Sequence, residues 1–190
     1  KFLGGMANAV LRKVLAQKND LIQKIENYNL IPQSFLPILQ GYNNNDIKQI
    51  AQSIVAQPPL DLTVKQNPEE WAQKLQGTLL PNGSVRLFDN PKIQNLTGYT
   101  EGEWWVQDVA ASLPVQILGA DLSGKKVLDL CAAPGGKTAQ LAARGAKVTA
   151  IDISSDRLNT LQKNMQRLGY TDIKAIAVDA LDFLQNTKEK

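Results

Sequence analysis

Apolar residues recur every three or four positions in the first third of the chain, and this spacing is typical of helices with one buried face. Four segments show it: residues 6–15, 20–26 and 34–39, and a stretch that begins at Asp46. The pattern stops at Pro58-Pro59, because proline ends helices and pushes the preceding residue towards extended backbone. Residues 1–57 are therefore predicted to form a helical domain.

A different pattern follows the two prolines. Alternating apolar residues predict short strands at 60–64, 85–87 and 93–96. Asn67-Pro68 predicts an N-cap and the first position of a helix, with two glutamates next in the sequence at the positive end of that helix. The pair Asn82-Gly83 predicts a tight turn. Residues 58–103 are therefore predicted to be a small α+β module.

Residues 104–190 alternate between helical patterns and short apolar runs. Gln107-Asp108 precedes a stretch of Ala, Leu, Val and Ile to Leu118 that predicts a helix. Three β-rich runs follow, at 126–130, 147–153 and 173–178. Between the last two runs, apolar residues at helical spacing predict a helix with Ser154 or Ser155 as its cap and Gly169 as its end. Strands that alternate with helices indicate a parallel sheet with right-handed crossovers.

The composition narrows the classes of function. The chain of 190 residues has one cysteine and no histidine, so an internal disulfide and zinc, histidine-base or serine–histidine chemistry lack their key residues. There is no apolar run of about 18 residues to span a membrane. No secretory leader follows Lys1, so we expect a cytoplasmic protein without membrane or metal partners. The net charge of +3 comes from basic excesses at both ends, which permit a nucleic-acid partner.

The segment Val127–Thr138 carries the strongest chemical signal. It reads VLDLCAAPGGKT, a strand that leads into a loop of small residues, which then opens a helix. In such sheets a ligand lies beyond the carboxyl ends of the strands, where glycines let backbone amides approach it. Asp152 ends the second strand 17 residues after Gly135, close to the offset of about 20 at which an acid binds ribose hydroxyls. Asp179 ends the third strand and is placed to reach an adenine.

Several interpretations of this loop compete. A triphosphate-binding loop would need a glycine where the chain has Cys131. A dinucleotide-binding loop would need G-x-G-x-x-G, and its pyrophosphate would lie beside Pro134, which has no N–H. S-adenosylmethionine carries no phosphate, so the missing N–H costs it little. The loop could also merely pack a strand against a helix, with both aspartates as caps, but three features at three consecutive strand ends favour a cofactor site.

Residues 128–138, LDLCAAPGGKT, closely resemble the signature of RNA cytosine-5 methyltransferases. Val106–Ser112 resembles the Gln-Asp element that precedes the first strand in that family, with one extra alanine. Asn8–Arg12 resembles the last helices of the NusB-like RNA-binding domain in the Sun (Fmu) branch, which acts on 16S ribosomal RNA. The resemblance implies an α/β chain. A partial Rossmann-type S-adenosylmethionine-dependent methyltransferase sheet over 104–190 would follow a small α+β module and the end of a helical NusB-like domain.

The resemblance also implies the residues that bind S-adenosyl-L-methionine. It places Asp152 at the ribose and Asp179 at the adenine. The implied loop residues are Cys131, Ala132, Ala133, Pro134, Gly135, Gly136 and Lys137. Methylation at C5 of cytosine further needs a cysteine nucleophile that adds to C6, and the family has it in a segment that would come after Lys190. We therefore expect no catalytic residue in this chain, and we expect Cys131 to be a small buried residue at a strand end.

The implied partner is ribosomal RNA, bound by a full-length protein that we expect to be monomeric. Candidates for RNA contact are Arg12, Lys13 and Arg86, with Trp104 and Trp105 as surfaces on which bases stack. A purely structural role is the alternative for four of these residues. Arg12 and Lys13 would then be solvated charges on a helix, and the two tryptophans would seal a domain boundary.

Two hypotheses about function follow from the sequence. In the first, the chain is the cofactor-binding part of an RNA 5-methylcytosine methyltransferase and is itself inactive. In the second, it is a catalytically silent cofactor- or RNA-binding module of the same fold. Small-molecule and protein methyltransferases rank third, because they lack the CAAPGGK loop. Without a fourth strand beside residues 126–130, we expect the isolated chain to be marginally stable or to aggregate.

Overall fold

The computed structural model describes residues 2–26, 31–88 and 91–187. Their contacts divide the chain into two compact units, Lys1–Gln57 and Pro58–Lys190. The division falls at the two consecutive prolines, where the apolar pattern of the sequence changes. The further division after residue 103 stays a prediction, and so does the NusB-like character of the first unit.

The first unit is built of helices. In chain order they are α1 (Phe2–Ala16), α2 (Lys18–Glu26), a 3-10 helix (Gln33–Leu39) and α3 (Asn44–Val55). At the start of α3, the side-chain oxygen of Asn43 accepts hydrogen bonds from the backbone N–H groups of Asn45 and Asp46, each 3.0 Å long. These bonds satisfy donors that the start of a helix leaves free. The helices predicted from apolar spacing are confirmed, the third of them as a 3-10 helix.

The prediction of a buried face on the first helix is wrong. Five apolar side chains of the α1 stripe are 46–70% exposed: Met6, Val10, Leu11, Val14 and Leu15. Helix α2, which contacts α1, does not cover this stripe, and Ile22 on α2 is itself 43% exposed. No helix among the described residues is long and apolar enough to cross a bilayer.

The second unit begins with a small antiparallel sheet. Its elements are β1 (Leu60–Val64), α4 (Pro68–Lys74), β2 (Thr78–Leu79), β3 (Val85–Leu87) and β4 (Trp104–Val106). The strands lie in the order β2-β3-β1-β4, and each neighbouring pair is antiparallel. Asn82-Gly83 forms the predicted turn between β2 and β3, with Gly83 at φ +82°. The predictions of strands at 60–64 and 85–87 are confirmed.

One local prediction for this sheet fails, and another is confirmed without the expected capping bond. Residues Ile93–Asn95 form a 3-10 turn rather than a strand, which puts the apolar side chains of Ile93 and Leu96, three positions apart, on one side. Both pack against the core of the antiparallel sheet. Asn67 does occupy the N-cap position of α4, but its backbone is left-handed and its side chain makes no capping bond.

A parallel sheet follows in the same unit. Its elements are α5 (Val109–Ile117), β5 (Lys126–Leu130), α6 (Gly136–Ala143), β6 (Lys147–Asp152), α7 (Ser155–Arg167), β7 (Ile173–Ala177) and α8 (Ala180–Asn186). The strand order is β5-β6-β7. The predicted alternation of parallel strands and helices is confirmed. Among the described residues β5 pairs with β6 alone, and Leu128 and Leu130 on β5 remain 37% and 41% exposed.

Two consecutive tryptophans on β4 connect the sheets. Trp104 is fully buried in the core of the antiparallel sheet, whereas Trp105 is buried in the core that covers the parallel sheet. Successive side chains of a strand point to opposite faces, so one dipeptide can enter two cores. Buried rings cannot stack on RNA bases. The prediction of RNA contact by these tryptophans is therefore wrong, and the structure favours their alternative role as a seal between substructures.

Candidate cofactor site

The carboxyl ends of the three parallel strands bring the predicted site residues to one edge of the sheet. The register pairs Leu130 with Ile151 and Asp152 with Ala177. The loop that follows β5 therefore begins beside the end of β6, and Asp179 follows directly after β7. The loop, Asp152 and Asp179 lie at this common edge, whereas Arg12, Lys13 and Arg86 belong to other parts of the fold.

The loop has a tightly specified backbone. Ala132 donates its N–H to the carbonyl of Ile151 at 2.9 Å, and Gly135 donates to the carbonyl of Ala132 at 2.9 Å. Gly135 has φ +107°, and a Cβ there would lie 3.0 Å from Met165 Cε and 3.1 Å from Leu161 Cγ. The left-handed backbone favours glycine here, and a Cβ would press on both side chains. Immediately after it, α6 begins and presents its free N–H groups to the edge of the sheet.

The expectation that Cys131 is buried is wrong, because its thiol is exposed. Along β5 the buried and exposed positions alternate, with Asp129 buried and Leu130 exposed, so a continued strand would bury the next residue. Cys131 instead has φ +58°, which ends the strand and its alternation. The chain's only cysteine thus lies open to solvent at the start of the candidate loop.

Asp152 is the best-defined polar group of the site. Its side chain is almost completely buried. Oδ2 accepts from the backbone N–H of Ala133 at 3.2 Å, and Oδ1 accepts from that of Ser154 at 3.1 Å. The guanidinium of Arg157 lies 3.4 Å from Oδ2. Oδ1 also accepts from Nη1 of Arg157, at 3.5 Å, so both of its lone pairs are used. Oδ2 accepts one hydrogen bond within the described part of the chain and can accept one more, as from a ligand hydroxyl.

Asp179 has a second role besides the one predicted. It is the N-cap of α8, and its Oδ1 accepts from the backbone N–H groups of Leu181 at 2.8 Å and Asp182 at 3.3 Å. Its other oxygen makes no hydrogen bond within the described part of the chain. One oxygen therefore fixes the side chain, and the other can accept a bond from a ligand at the edge of the sheet.

A buried polar pair under the loop was not predicted. Thr138 on α6 donates its hydroxyl to Oδ2 of Asp129 on β5 at 2.6 Å, and both side chains are buried. Burial raises the pKa of Asp129, while the bond from Thr138 and the charge of Lys137 act against this rise. The pair holds the strand and the helix on either side of the loop together. The signal in the sequence was an acid between two leucines of an otherwise apolar strand.

The Gln-Asp element also has a structural explanation. Gln107 Oε1 accepts from Thr63 and from the indole of Trp105, both at 2.9 Å, and its amide donates to Gln140 on α6 at 2.9 Å. Asp108 N-caps α5 by accepting from Ala110 at 2.8 Å. Because Gln107 and Gln140 are buried, these bonds satisfy groups that water cannot reach. They connect the antiparallel sheet to the helix that follows the loop.

Arg86 is engaged in an ion pair. Its guanidinium donates to both carboxylate oxygens of Asp61, at 2.7 and 2.8 Å, and Asp61 is buried. The hydrogen bond from Arg86 lowers the pKa of Asp61 below its ordinary value of 3.8. Arg12 and Lys13 are exposed on α1, in the other unit. RNA contact by these three residues stays a prediction.

The ion pair predicts a stability effect that depends on pH. Because the pKa of Asp61 is lowered in the folded state, the pair stabilises the fold above pH 3.8, and the contribution is lost as the pH falls through the lowered pKa. We expect Arg86→Gln to lower the melting temperature at pH 7, since it leaves a buried carboxylate without its cation. The difference from wild type should shrink below about pH 4.

Thermal melts followed by circular dichroism between pH 7 and pH 3 would measure this effect. Lys74→Gln is the matched control, because Lys74 pairs with Glu70 in an ion pair whose side chains are 47% and 52% exposed. Exposed pairs contribute little, so this variant should melt like wild type at neutral pH. A deficit for Arg86→Gln that is constant with pH would contradict the assignment.

Comparison with known proteins shows which family the sequence around this site matches. Residues 117–190 match the family described as 16S rRNA methyltransferase RsmB/F. The ribosomal RNA small subunit methyltransferase B of Erwinia tasmaniensis is 34% identical over 183 residues, which cover 87% of this chain and 42% of that protein. The protein of the same name from Klebsiella pneumoniae is 34% identical over 182 residues, with 88% and 42% covered. The chain thus spans about two fifths of the length of these relatives.

A solved structure shares the fold. A methyltransferase homolog protein from Pyrococcus horikoshii superposes with a TM-score of 0.62 over 82% of this chain and 59% of that one, at 21% identity. Identity this low shows the fold alone, and that fold is the methyltransferase sheet predicted from the sequence. Residues 117–190, which contain the loop, Asp152 and Asp179, therefore belong to the 16S rRNA methyltransferase RsmB/F family.

Proposed function

We propose that the edge of the parallel sheet binds S-adenosylmethionine and that this chain supplies the cofactor-binding part of a methyltransferase acting on C5 of cytosine in small-subunit ribosomal RNA. The observation that carries the proposal is Asp152, a buried carboxylate at the end of the second parallel strand whose Oδ2 keeps an acceptor position beside the loop. The names of the relatives support ribosomal RNA as the substrate, and the resemblance of residues 128–138 supports cytosine C5.

The residues at this edge fit an adenosyl ligand without phosphate. Oδ2 of Asp152 would accept from a ribose hydroxyl, and the second oxygen of Asp179 would accept from the adenine amino group. Ile153, directly after Asp152, is 72% exposed and offers an apolar surface to a flat ring. The N–H groups at the start of α6 would face the methionine carboxylate, which is an anion. Pro134 has no N–H group, so the loop lacks one hydrogen-bond donor at this position. A pyrophosphate would need that donor, whereas an adenosyl ligand does not.

The position of the Cys131 thiol indicates which chemical role this cysteine has in the methyl transfer. The cofactor supplies an activated methyl group on a sulfonium. Attack by cytosine C5 requires prior addition of a thiolate to C6, and Cys131 is part of the cofactor loop rather than of a separate base-binding segment. We therefore assign Cys131 to cofactor binding. The nucleophile is expected in the part of the longer relatives that this chain does not match.

The exposed thiol provides a direct test of cofactor binding. Because the chain has a single cysteine, alkylation with iodoacetamide reports on Cys131 alone. We expect S-adenosylmethionine to slow alkylation as a saturable function of its concentration, because the bound ligand covers the loop. ATP and NAD, which carry phosphates, should not protect. Mass spectrometry of the intact chain measures the rate.

A relocated cysteine provides the matched control. Ser123 is exposed in the loop before β5, at the opposite end of that strand from Cys131. In a Cys131→Ser, Ser123→Cys variant, the rate of alkylation should be the same with and without S-adenosylmethionine. Equal rates for wild type with and without the cofactor, at concentrations up to the millimolar range, would refute binding at this edge of the sheet.

A further inference from the structure

Arg157, in the first turns of α7, makes contacts that none of the predicted site residues makes. One end nitrogen, Nη1, lies 3.4 Å from Asp152 Oδ2 and 3.5 Å from Oδ1. The other, Nη2, donates to the carbonyl oxygen of Ala133. Asp152 in turn accepts from the N–H of the same Ala133. The two side chains therefore hold one loop residue by both of its backbone polar groups.

A second residue of α7 continues this arrangement. Asn164 donates its side-chain amide to the carbonyl oxygen of Pro134 at 2.9 Å, so the carbonyls of Ala133 and Pro134 are both bound from α7. Leu161 and Met165, also on α7, lie against Gly135. The loop thus takes its shape from α7 as much as from the strand that precedes it.

We propose that Arg157 is a positioning residue of the cofactor site, an inference that rests on the proposed binding of S-adenosylmethionine. Its planar guanidinium reaches the Asp152 carboxylate and the Ala133 carbonyl at once, and so it fixes the distance between the carboxylate and the loop. The charge of Arg157 contributes less than its geometry does. Its side chain is 56% exposed, and water screens the attraction between an exposed cation and its partner.

Three variants distinguish geometry from charge. Arg157→Ala should weaken S-adenosylmethionine binding about tenfold, since the loop loses one side of its frame. Arg157→Lys keeps the positive charge, but an ammonium on a flexible chain cannot replace a fork that contacts two groups. We expect it to restore less than half of the lost binding free energy. Lys163→Ala is the matched control, an exposed cation of the same helix, and should bind like wild type.

A double-mutant cycle tests whether Arg157 acts through Asp152. If it does, Arg157→Ala should have little further effect on cofactor affinity in an Asp152→Asn background, because the carboxylate it positions is gone. Isothermal titration of the wild-type chain, both single variants and the double variant measures the coupling. Thermal melts of the same four proteins separate loss of binding from loss of folding, because only a folded variant with weaker binding supports positioning.

The outcomes separate this inference from the proposed function. If the wild-type chain does not bind S-adenosylmethionine, both the proposed function and the role of Arg157 are overturned. Wild type that binds, with Arg157→Ala within about twofold of it, overturns only the role of Arg157. Full restoration by Arg157→Lys, or effects that simply add in the double variant, also overturns positioning, since charge or general stability would then explain the loss.

Discussion

Asp152→Asn is expected to weaken the binding of S-adenosylmethionine at least tenfold, as the hydrogen bond from a ribose hydroxyl to a charged acceptor is lost or weakened. The substitution is nearly isosteric, so its effect comes from chemistry rather than from a cavity. In the wild-type chain each carboxylate oxygen accepts a backbone N–H, from Ala133 or from Ser154. Whichever way the new amide is turned, its NH2 group faces one of these donors and repels it.

Isothermal titration calorimetry measures this loss, with Asp156→Asn as the matched control. Asp156 is exposed in the first turn of α7, four residues along the chain from Asp152, and its carboxylate is not part of the loop's hydrogen bonds. The control should bind like wild type. The two variants remove the same charge from the same region, so a common nonspecific effect would appear in both. Binding by Asp152→Asn within about twofold of wild type would exclude the ribose role of this carboxylate.

The parallel sheet was predictable from the sequence because its signals are local. Apolar runs, small-residue loops and helical spacing predict the three strands, and their observed ends differ from the predicted ones by one residue at most. The strand predicted at 147–153 is observed at Lys147–Asp152, and the strand predicted at 173–178 is observed at Ile173–Ala177. Buried parallel strands are nearly continuous apolar runs. The positions of the loop, Asp152 and Asp179 then follow, because parallel strands end at the same edge of a sheet.

The features that the sequence did not predict depend on distant partners. The ion pair of Arg86 with Asp61 joins residues 25 apart, and nothing local in the sequence links the two. The bond between Gln107 and Gln140 joins residues 33 apart. Likewise, the spacing of Ile93 and Leu96 fits a 3-10 turn as well as the end of a strand, and the packing of the completed sheet decides between them.

Cys131 and α1 illustrate a different limit. The backbone of Cys131 is left-handed at φ +58°, a conformation that side-chain pattern does not encode for a residue other than glycine or asparagine. The stripe on α1 was predicted correctly as one face of a helix, but its burial depends on what packs against it. Periodicity identifies a face, whereas only tertiary structure shows whether that face is covered.

Gly102→Ala is expected to cost about 3 kcal/mol of folding free energy or more, the sum of a left-handed alanine and an overpacked contact. Gly102 has φ +69°, and a Cβ there would lie 2.1 Å from the carbonyl oxygen of Arg167, at the end of α7. Backbone cannot move aside as a flexible side chain can. The same junction holds two further bonds: Lys65 donates to the carbonyl of Leu168 at 2.6 Å, and Arg167 donates to that of Tyr99 at 2.6 Å.

Gly124→Ala separates the two contributions. Gly124 has nearly the same backbone, φ +72°, but a Cβ there would meet nothing within 4 Å, so this variant should lose only about 1 kcal/mol from the left-handed alanine. Urea denaturation of both variants gives the difference, which is the cost of the clash with α7. Equal losses would mean that the segment before β4 does not press on the end of α7. A clearly larger loss for Gly102→Ala would show that the segment before β4 packs tightly against the end of α7, the helix behind the cofactor loop.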